Sequence, residues 1–198
     1  MRRIRKVEVE TIVCTRPPKA NANGWAFPRA IEDLLLRELA GKRVLHLFGG
    51  LARFGVRMDI DTITKPDVIA DAWMPPFAAN SFDVVVLDPP YERFSCQMTF
   101  ALCCQAAYIA REQVIWFHTL WLDHPARLKL RKACCVVTGR NAVVRCLQFF
   151  DVPGPGRKLG PMRKFSRGPA IKYNRWLVNP NILPFGISAP APANSEVA

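Results

Sequence analysis

The sequence predicts an α/β protein built on one open, mostly parallel sheet. Three observations carry that expectation. Short apolar runs recur along the chain and stop at glycine, aspartate or proline. Helix-period stretches stand before the first of these runs and between two later ones. The run Phe82 to Leu87, FDVVVL, is apolar almost throughout, as a central strand buried on both faces would be.

The elements follow in order. Residues 7–14, VEVETIVC, alternate apolar and polar side chains and suit a short strand or extended arm. Residues 16–24 have loop composition. The stretch PRAIEDLLLRELAG from Pro28 predicts a helix: proline is tolerated in a first turn, Ile31, Leu34, Leu35 and Leu39 form an apolar stripe, and Gly41 is a plausible stop. Arg43 to Gly50, RVLHLFGG, is a strand running into glycines, and Phe54 to Ile60 a second strand ending near Asp59 and Asp61. Val68 to Asp71 makes a brief third, and Phe82 to Leu87 is the fourth and strongest. Met98 to Glu112 has helical character and Val114 to His118 is a fifth strand. Lys132 to Thr138 and Ala142 to Phe150 are two more, separated by the hairpin-type turn Gly139-Arg140-Asn141.

Length and composition bound the function. A chain of 198 residues fits one domain with room for a core. Lys and Arg number 28 against 16 Asp and Glu, a net charge of +12. Such an excess attracts polyanions, nucleic acid above all, the plainer alternative being a solvated surface of scattered charge. The seven cysteines include no CxxC pair, no histidine stands at metal-ligand spacing from them, and no metal is expected. Their odd number fits a reducing cytoplasm rather than a disulfide framework. No run approaches the roughly 20 apolar residues that span a bilayer. The expected organisation is a basic arm and loop over 1–24, a catalytic-type domain over 25–150, a basic extension over 151–186 and a loose Ala/Pro/Ser-rich tail over 187–198.

Ligands of doubly wound sheets sit at the carboxyl ends of the strands, and three features fall there. Phe48-Gly49-Gly50 follows the first strand of the parallel set, with Gly55 behind it, and glycine lets a backbone approach a ligand closely. Asp59 ends the next strand, where a carboxylate can accept from both ribose hydroxyls of a nucleoside. Asp71 ends the third, placed to contact an adenine amine. Each alone has a plainer explanation, a turn or a cap. Together they point to an adenosine-containing cofactor. The turn lacks GxxxxGK and GxGxxG spacing, which disfavours ATP and NAD.

The fourth strand stops at Asp88-Pro89-Pro90-Tyr91. Proline removes backbone donors, so the carbonyls of Asp88 and Pro89 face outward with little local competition. A carboxylate and an outward carbonyl can accept both hydrogens of one NH₂ group, while the Tyr91 ring offers a stacking face. Such a site orients the amine and acts by electrostatics.

With these residues assembled, the chain resembles class I S-adenosylmethionine-dependent methyltransferases, and among them the amino-methyltransferases of nucleic-acid bases. The resemblance runs from about Phe27 to Phe150. It implies a Rossmann-like class I methyltransferase fold: a mostly parallel seven-stranded sheet flanked by helices, its last strand antiparallel. It implies S-adenosylmethionine as cofactor, with Phe27 and Pro28 near the methionine end. It also implies that Asp88, Pro89, Pro90 and Tyr91 hold the target amine. The chain departs from the family's acid-x-F-x-G-x-G turn at His46 and Ala52. His46 and His118 both read first as packed strand residues.

The basic extension interleaves Arg157, Lys158, Arg163, Lys164, Arg167, Lys172 and Arg175 with Phe165, Tyr173 and Trp176. Cations can neutralise phosphates while rings stack on unpaired bases; a solvated tail is the alternative. Arg2, Arg3, Arg5 and Lys6 could extend that surface. The expected acceptor is adenine in DNA, with a base amine of structured RNA close behind and a protein partner as one source of target recognition. A degenerate methyltransferase that only binds nucleic acid or a partner is the contrasting class.

Overall fold

The apolar runs of the sequence form the middle of the sheet. Strand β5 (Phe82–Leu87) is buried at all six positions and lies between β2 (Val44–Leu47) and β6 (Ala110–His118), parallel to both. A strand in that position offers no side chain to water, which explains its nearly unbroken apolar composition. Outward from β2 come β3 (Val56–Asp59) and the two-residue β4 (Val68–Ile69), both parallel. Beyond β6 lies β8 (Val143–Asp151), antiparallel to β6 and to β7 (Lys129–Thr138). The edge is β1 (Glu8–Cys14), parallel to β7. The complete order is β1-β7-β8-β6-β5-β2-β3-β4.

The computed structural model describes residues 7–14, 26–90, 96–118, 124–125, 128–138 and 143–154. Tyr91, the Gly139-Arg140-Asn141 turn, the N-terminal basic residues Arg2 to Lys6, and the basic extension with Arg157, Lys158, Arg163, Lys164, Arg167 and Lys172 lie outside them.

Alternation along the strands separates two cores. Val85, Leu87 and Trp116 face helix α2 (Cys96–Ile109), meeting Leu102, Ala106 and Ile109. Val84, Val86 and Ile115 face helix α1 (Arg29–Glu38), meeting Ile31 and Leu35. Period two in the strands and 3.6 in the helices place these residues on matching faces. At the amino end of the sheet, Asp83 ties three strands. It accepts from the Arg43 backbone N–H at 2.8 Å and pairs with the Arg111 guanidinium. Those bonds hold its carboxyl below the usual range, the Arg43 amide first.

Two features depart from the sequence reading. Residues 110–112, expected as the end of a helix, open strand β6, because Ala110 pairs with Phe82 across a register shift before the Val84–Gln113 pair. Sheet pairing outweighs the local preference there. The seven expected strands are also joined by an eighth, since the arm at 7–14 docks on β7. Lys132, buried, anchors it through Glu10 at 2.8 Å and Glu8 at 3.6 Å.

The link between β2 and β3 is unusual. Adjacent parallel strands normally need a crossover of about a dozen residues or more, commonly helical. Here the segment 48–55 contains no helix. Phe48 (φ 59°), Gly50 (φ 46°) and Gly55 (φ 69°) bend it, and Ala52 and Phe54 drop into the α1-side core. A Cβ at Gly55 would stand 2.8 Å from the Val44 carbonyl oxygen, so glycine is required twice over.

Candidate active site at the carboxyl ends of the strands

The register brings the sequence-predicted residues to one edge. Leu47 pairs with Leu87 and with Met58, so Phe48, Asp59 and Asp88 are each the next residue along neighbouring strands. Asp59 pairs with Ile69, and Asp71 follows two residues later. The glycine turn, both strand-end acids and the acid of the proline turn therefore share the carboxyl edge of β2, β3, β4 and β5.

The turn is stapled to β3. Gly49 N–H donates to the Met58 carbonyl at 3.1 Å, and Gly50 N–H to Asp59 Oδ2 at 3.3 Å. Asp59 Oδ1 accepts the Asp61 N–H at 3.0 Å. Each carboxylate oxygen has two acceptor positions, so one bond to each leaves Asp59 capacity for a ligand hydroxyl pair. Asp71 shapes its own turn: Oδ1 accepts from the Trp73 N–H and its carbonyl from Met74 N–H, both at 2.9 Å. A Cβ at Gly49 would lie 2.7 Å from Arg57 Cβ, so the turn closes directly onto the strand.

Three residues absent from the sequence reading complete the frame. The Arg57 Nη1 donates to the carbonyls of Gly50 and Thr64 at 3.2 and 3.3 Å, and Nη2 donates to that of Lys65 at 2.7 Å. Glu32 on α1, buried, accepts the Arg53 N–H at 2.9 Å and its Nε at 2.8 Å. A signal existed for Arg57: a cation inside a short strand of a parallel sheet needs nearby acceptors. Glu32 and Arg53 are far apart in sequence and had no such signal.

On the α1 side of the sheet lies an aromatic stack. His46 sits 5.3 Å from Phe27 and 5.0 Å from Phe54, centroid to centroid, with interplanar angles of 18° and 7°. Phe27 reaches Phe117 of β6 at 5.4 Å. Among the described residues neither His46 ring nitrogen has a hydrogen-bond partner. Burial, then the Arg57 guanidinium, lowers its pKa from 6.5 to about 3, so the ring is neutral near pH 7. Phe27, 4% exposed, is part of the α1-side core, and Pro28 heads α1, its carbonyl accepting from Ile31 and Glu32 at 2.9 and 3.0 Å.

Asp88 and Pro89 are buried and Pro90 is exposed. His118 ends β6, two residues past the Leu87–Trp116 pair, and burial lowers its pKa to about 4. Both histidines are packed strand residues. Among the described residues, no three or more His, Cys, Asp or Glu are grouped to hold a metal ion, and no helix is long and apolar enough to cross a membrane.

No known protein-family model matches the chain, and no curated protein matches it significantly in sequence. Solved structures do match. The magnesium protoporphyrin IX methyltransferase of Synechocystis PCC 6803, crystallised with bound SAM, aligns over 63% of this chain and 77% of its own, at 10% identity and a TM-score of 0.50. The N-methyltransferase NodS from Bradyrhizobium japonicum WM9 aligns over 63% of this chain and 96% of its own, at 13% identity and a TM-score of 0.48. At such identities the likeness is one of architecture. With its mostly parallel sheet, helices on both faces and antiparallel β8, the chain has the Rossmann-like fold of class I methyltransferases.

Proposed function

We propose that this chain transfers a methyl group from S-adenosylmethionine to an exocyclic amine of a nucleic-acid base, adenine N6 of DNA in the first place. On this reading it groups with the amino-methyltransferases that carry an acid-proline-proline-tyrosine end. The observation that carries the reading is the Leu47–Leu87 register. It sets the glycine turn beside Asp88, the pairing of cofactor turn and amine acceptor that the chemistry needs.

The residues present fit the cofactor. Asp59 would accept from the ribose hydroxyls, Asp71 from the adenine amine, and Phe48, Gly49 and Gly50 would line the methionine end. Phe27 and Pro28 would act there through the aromatic stack and the start of α1. Bound S-adenosylmethionine supplies an electrophilic methyl group. The chain's own part is to hold the acceptor. Asp88 and the carbonyls of the proline turn take both N–H bonds of the target amine, which turns its nitrogen lone pair toward the methyl donor. Asp88 works as an acceptor and need not remove a proton first; the nitrogen gives up one N–H proton after the new N–C bond forms. Tyr91 stacks on the base, and Arg157, Lys158, Arg163, Lys164, Arg167 and Lys172 neutralise phosphates.

The test is transfer of a radiolabelled methyl group to DNA, total RNA and protein in separate reactions. Label in DNA as N6-methyladenine supports the reading. Label confined to an RNA base amine moves the acceptor to RNA. Label only in protein, or none alongside intact cofactor binding, overturns it. Arg163→Glu with Lys164→Glu should weaken nucleic-acid binding at low salt and spare cofactor binding.

A further inference from the structure

We propose that Arg57 is a positioning residue that locks the glycine turn and the loop after Asp59 into one cofactor-binding unit. The inference rests on the S-adenosylmethionine reading of the site. Nothing in the family resemblance assigns Arg57 a part.

The geometry is specific. Arg57 and Asp59 stand two apart on β3 and so point to the same face of the sheet. Between them they hold both polar groups of Gly50: Asp59 Oδ2 accepts its N–H at 3.3 Å, and Arg57 Nη1 donates to its carbonyl at 3.2 Å. The same guanidinium reaches the carbonyls of Thr64 and Lys65 at 3.3 and 2.7 Å. Lys65 takes a left-handed conformation, φ 48°, that brings this carbonyl within reach. Asp67 fixes the arginine, with Oδ2 accepting its backbone N–H at 2.8 Å and lying 3.6 Å from Nε.

One planar fork therefore spans two loops. It satisfies the last carbonyl of the glycine pair and two carbonyls after the ribose-binding acid. A crossover helix would ordinarily order the segment after β2, and 48–55 has none. Glycine at 49 and 50 leaves the turn with wide backbone freedom, and a ligand that needs one conformation would bind more weakly to a loose turn. The fork removes that freedom before the ligand arrives. Lysine cannot replace it fully, since its point charge lacks a fixed set of diverging donors.

The test uses the full chain as wild type, Arg57→Met and Arg57→Lys. Calorimetry reads affinity for S-adenosylmethionine and S-adenosylhomocysteine, and hydrogen exchange reads segments 48–55 and 60–67 against β5 and α2. Arg57→Met should weaken both ligands by roughly tenfold or more, with both segments exchanging faster together and β5 and α2 unchanged. Arg57→Lys should fall between. Where methyl transfer is measurable, the variants should raise the cofactor KM and leave kcat near wild type. A folded Arg57→Met with wild-type affinity overturns the inference and leaves the cofactor reading intact. Should Arg57→Met not fold, wild-type affinity and exchange in Arg57→Lys overturn it equally. A wild-type protein that binds neither ligand overturns the cofactor reading itself.

Discussion

The imidazole of His46 lies parallel to the ring of Phe54, their centroids 5.0 Å apart and their planes 7° apart. Burial, then the nearby Arg57 guanidinium, favours the neutral ring over the charged one. With a folded pKa of about 3 against an ordinary 6.5, His46 stays neutral in the native state while the unfolded chain binds a proton. Between those values the unfolded state holds more protons, so stability falls as pH drops from 6.5 toward 3. Above pH 6.5 the group contributes no slope. The loss from His46 has a limit of about 1.4 kcal/mol per pH unit. His118 adds the same sign between 6.5 and about 4. Urea unfolding at pH 7.5 and 5.5 checks this: His46→Phe should lose less stability on acidification than wild type. An equal loss would place the acid sensitivity elsewhere.

Asp88→Ala should reduce methyl transfer by about 100-fold or more while cofactor affinity stays near normal. The separation follows from position, because Asp88 continues β5 while the residues proposed for the cofactor continue β2, β3 and β4. Single-turnover transfer and calorimetry on the same preparation measure the two effects. Full turnover in the variant would remove Asp88 from the amine-holding role.

Glu32→Ala should lower the melting temperature more than Arg53→Ala. The Arg53 guanidinium is largely exposed, and exposed ion pairs add little stability. Arg53→Ala also keeps the bond from the residue 53 backbone N–H to Glu32 Oε1, whereas Glu32→Ala leaves that amide without its acceptor. Thermal melts of the two variants side by side decide the order.

Gly49→Ala should destabilise the chain by about 1–3 kcal/mol, the usual cost of forcing atoms into a packed site. The added Cβ would meet backbone and stem atoms of Arg57, at 2.7 Å from Cβ and 3.0 Å from Cα, and neither yields as a side-chain tip does. Denaturant unfolding gives the stability, and cofactor calorimetry should show a parallel loss because the turn must shift. Gly41→Ala is a useful contrast: a Cβ there meets nothing within 4 Å, so only its φ of 76° opposes alanine.

The order of residues alone pointed to the sheet's parallel centre, because a short, nearly unbroken apolar run such as FDVVVL suits a strand buried on both faces. It also placed Phe48, Gly49, Gly50, Asp59, Asp71 and Asp88 at strand ends, because backbone freedom, acidity and proline mark where a strand stops. Alternation at 7–14 indicated a strand but not its partner, which Lys132 selects through Glu8 and Glu10. The helix–strand boundary at Ala110 was illegible, since pairing with Phe82 outweighed local preference. How these residues are held became legible in the folded chain alone. Phe27, expected near the methionine end, packs against the rings of His46, Phe54 and Phe117, which meet it only in the folded chain. Arg57, a cation inside a short strand, signalled a need for acceptors but not which ones. Its role depends on the carbonyls of Gly50, Thr64 and Lys65 arriving around one guanidinium, and backbone acceptors carry no signature in the order of side chains.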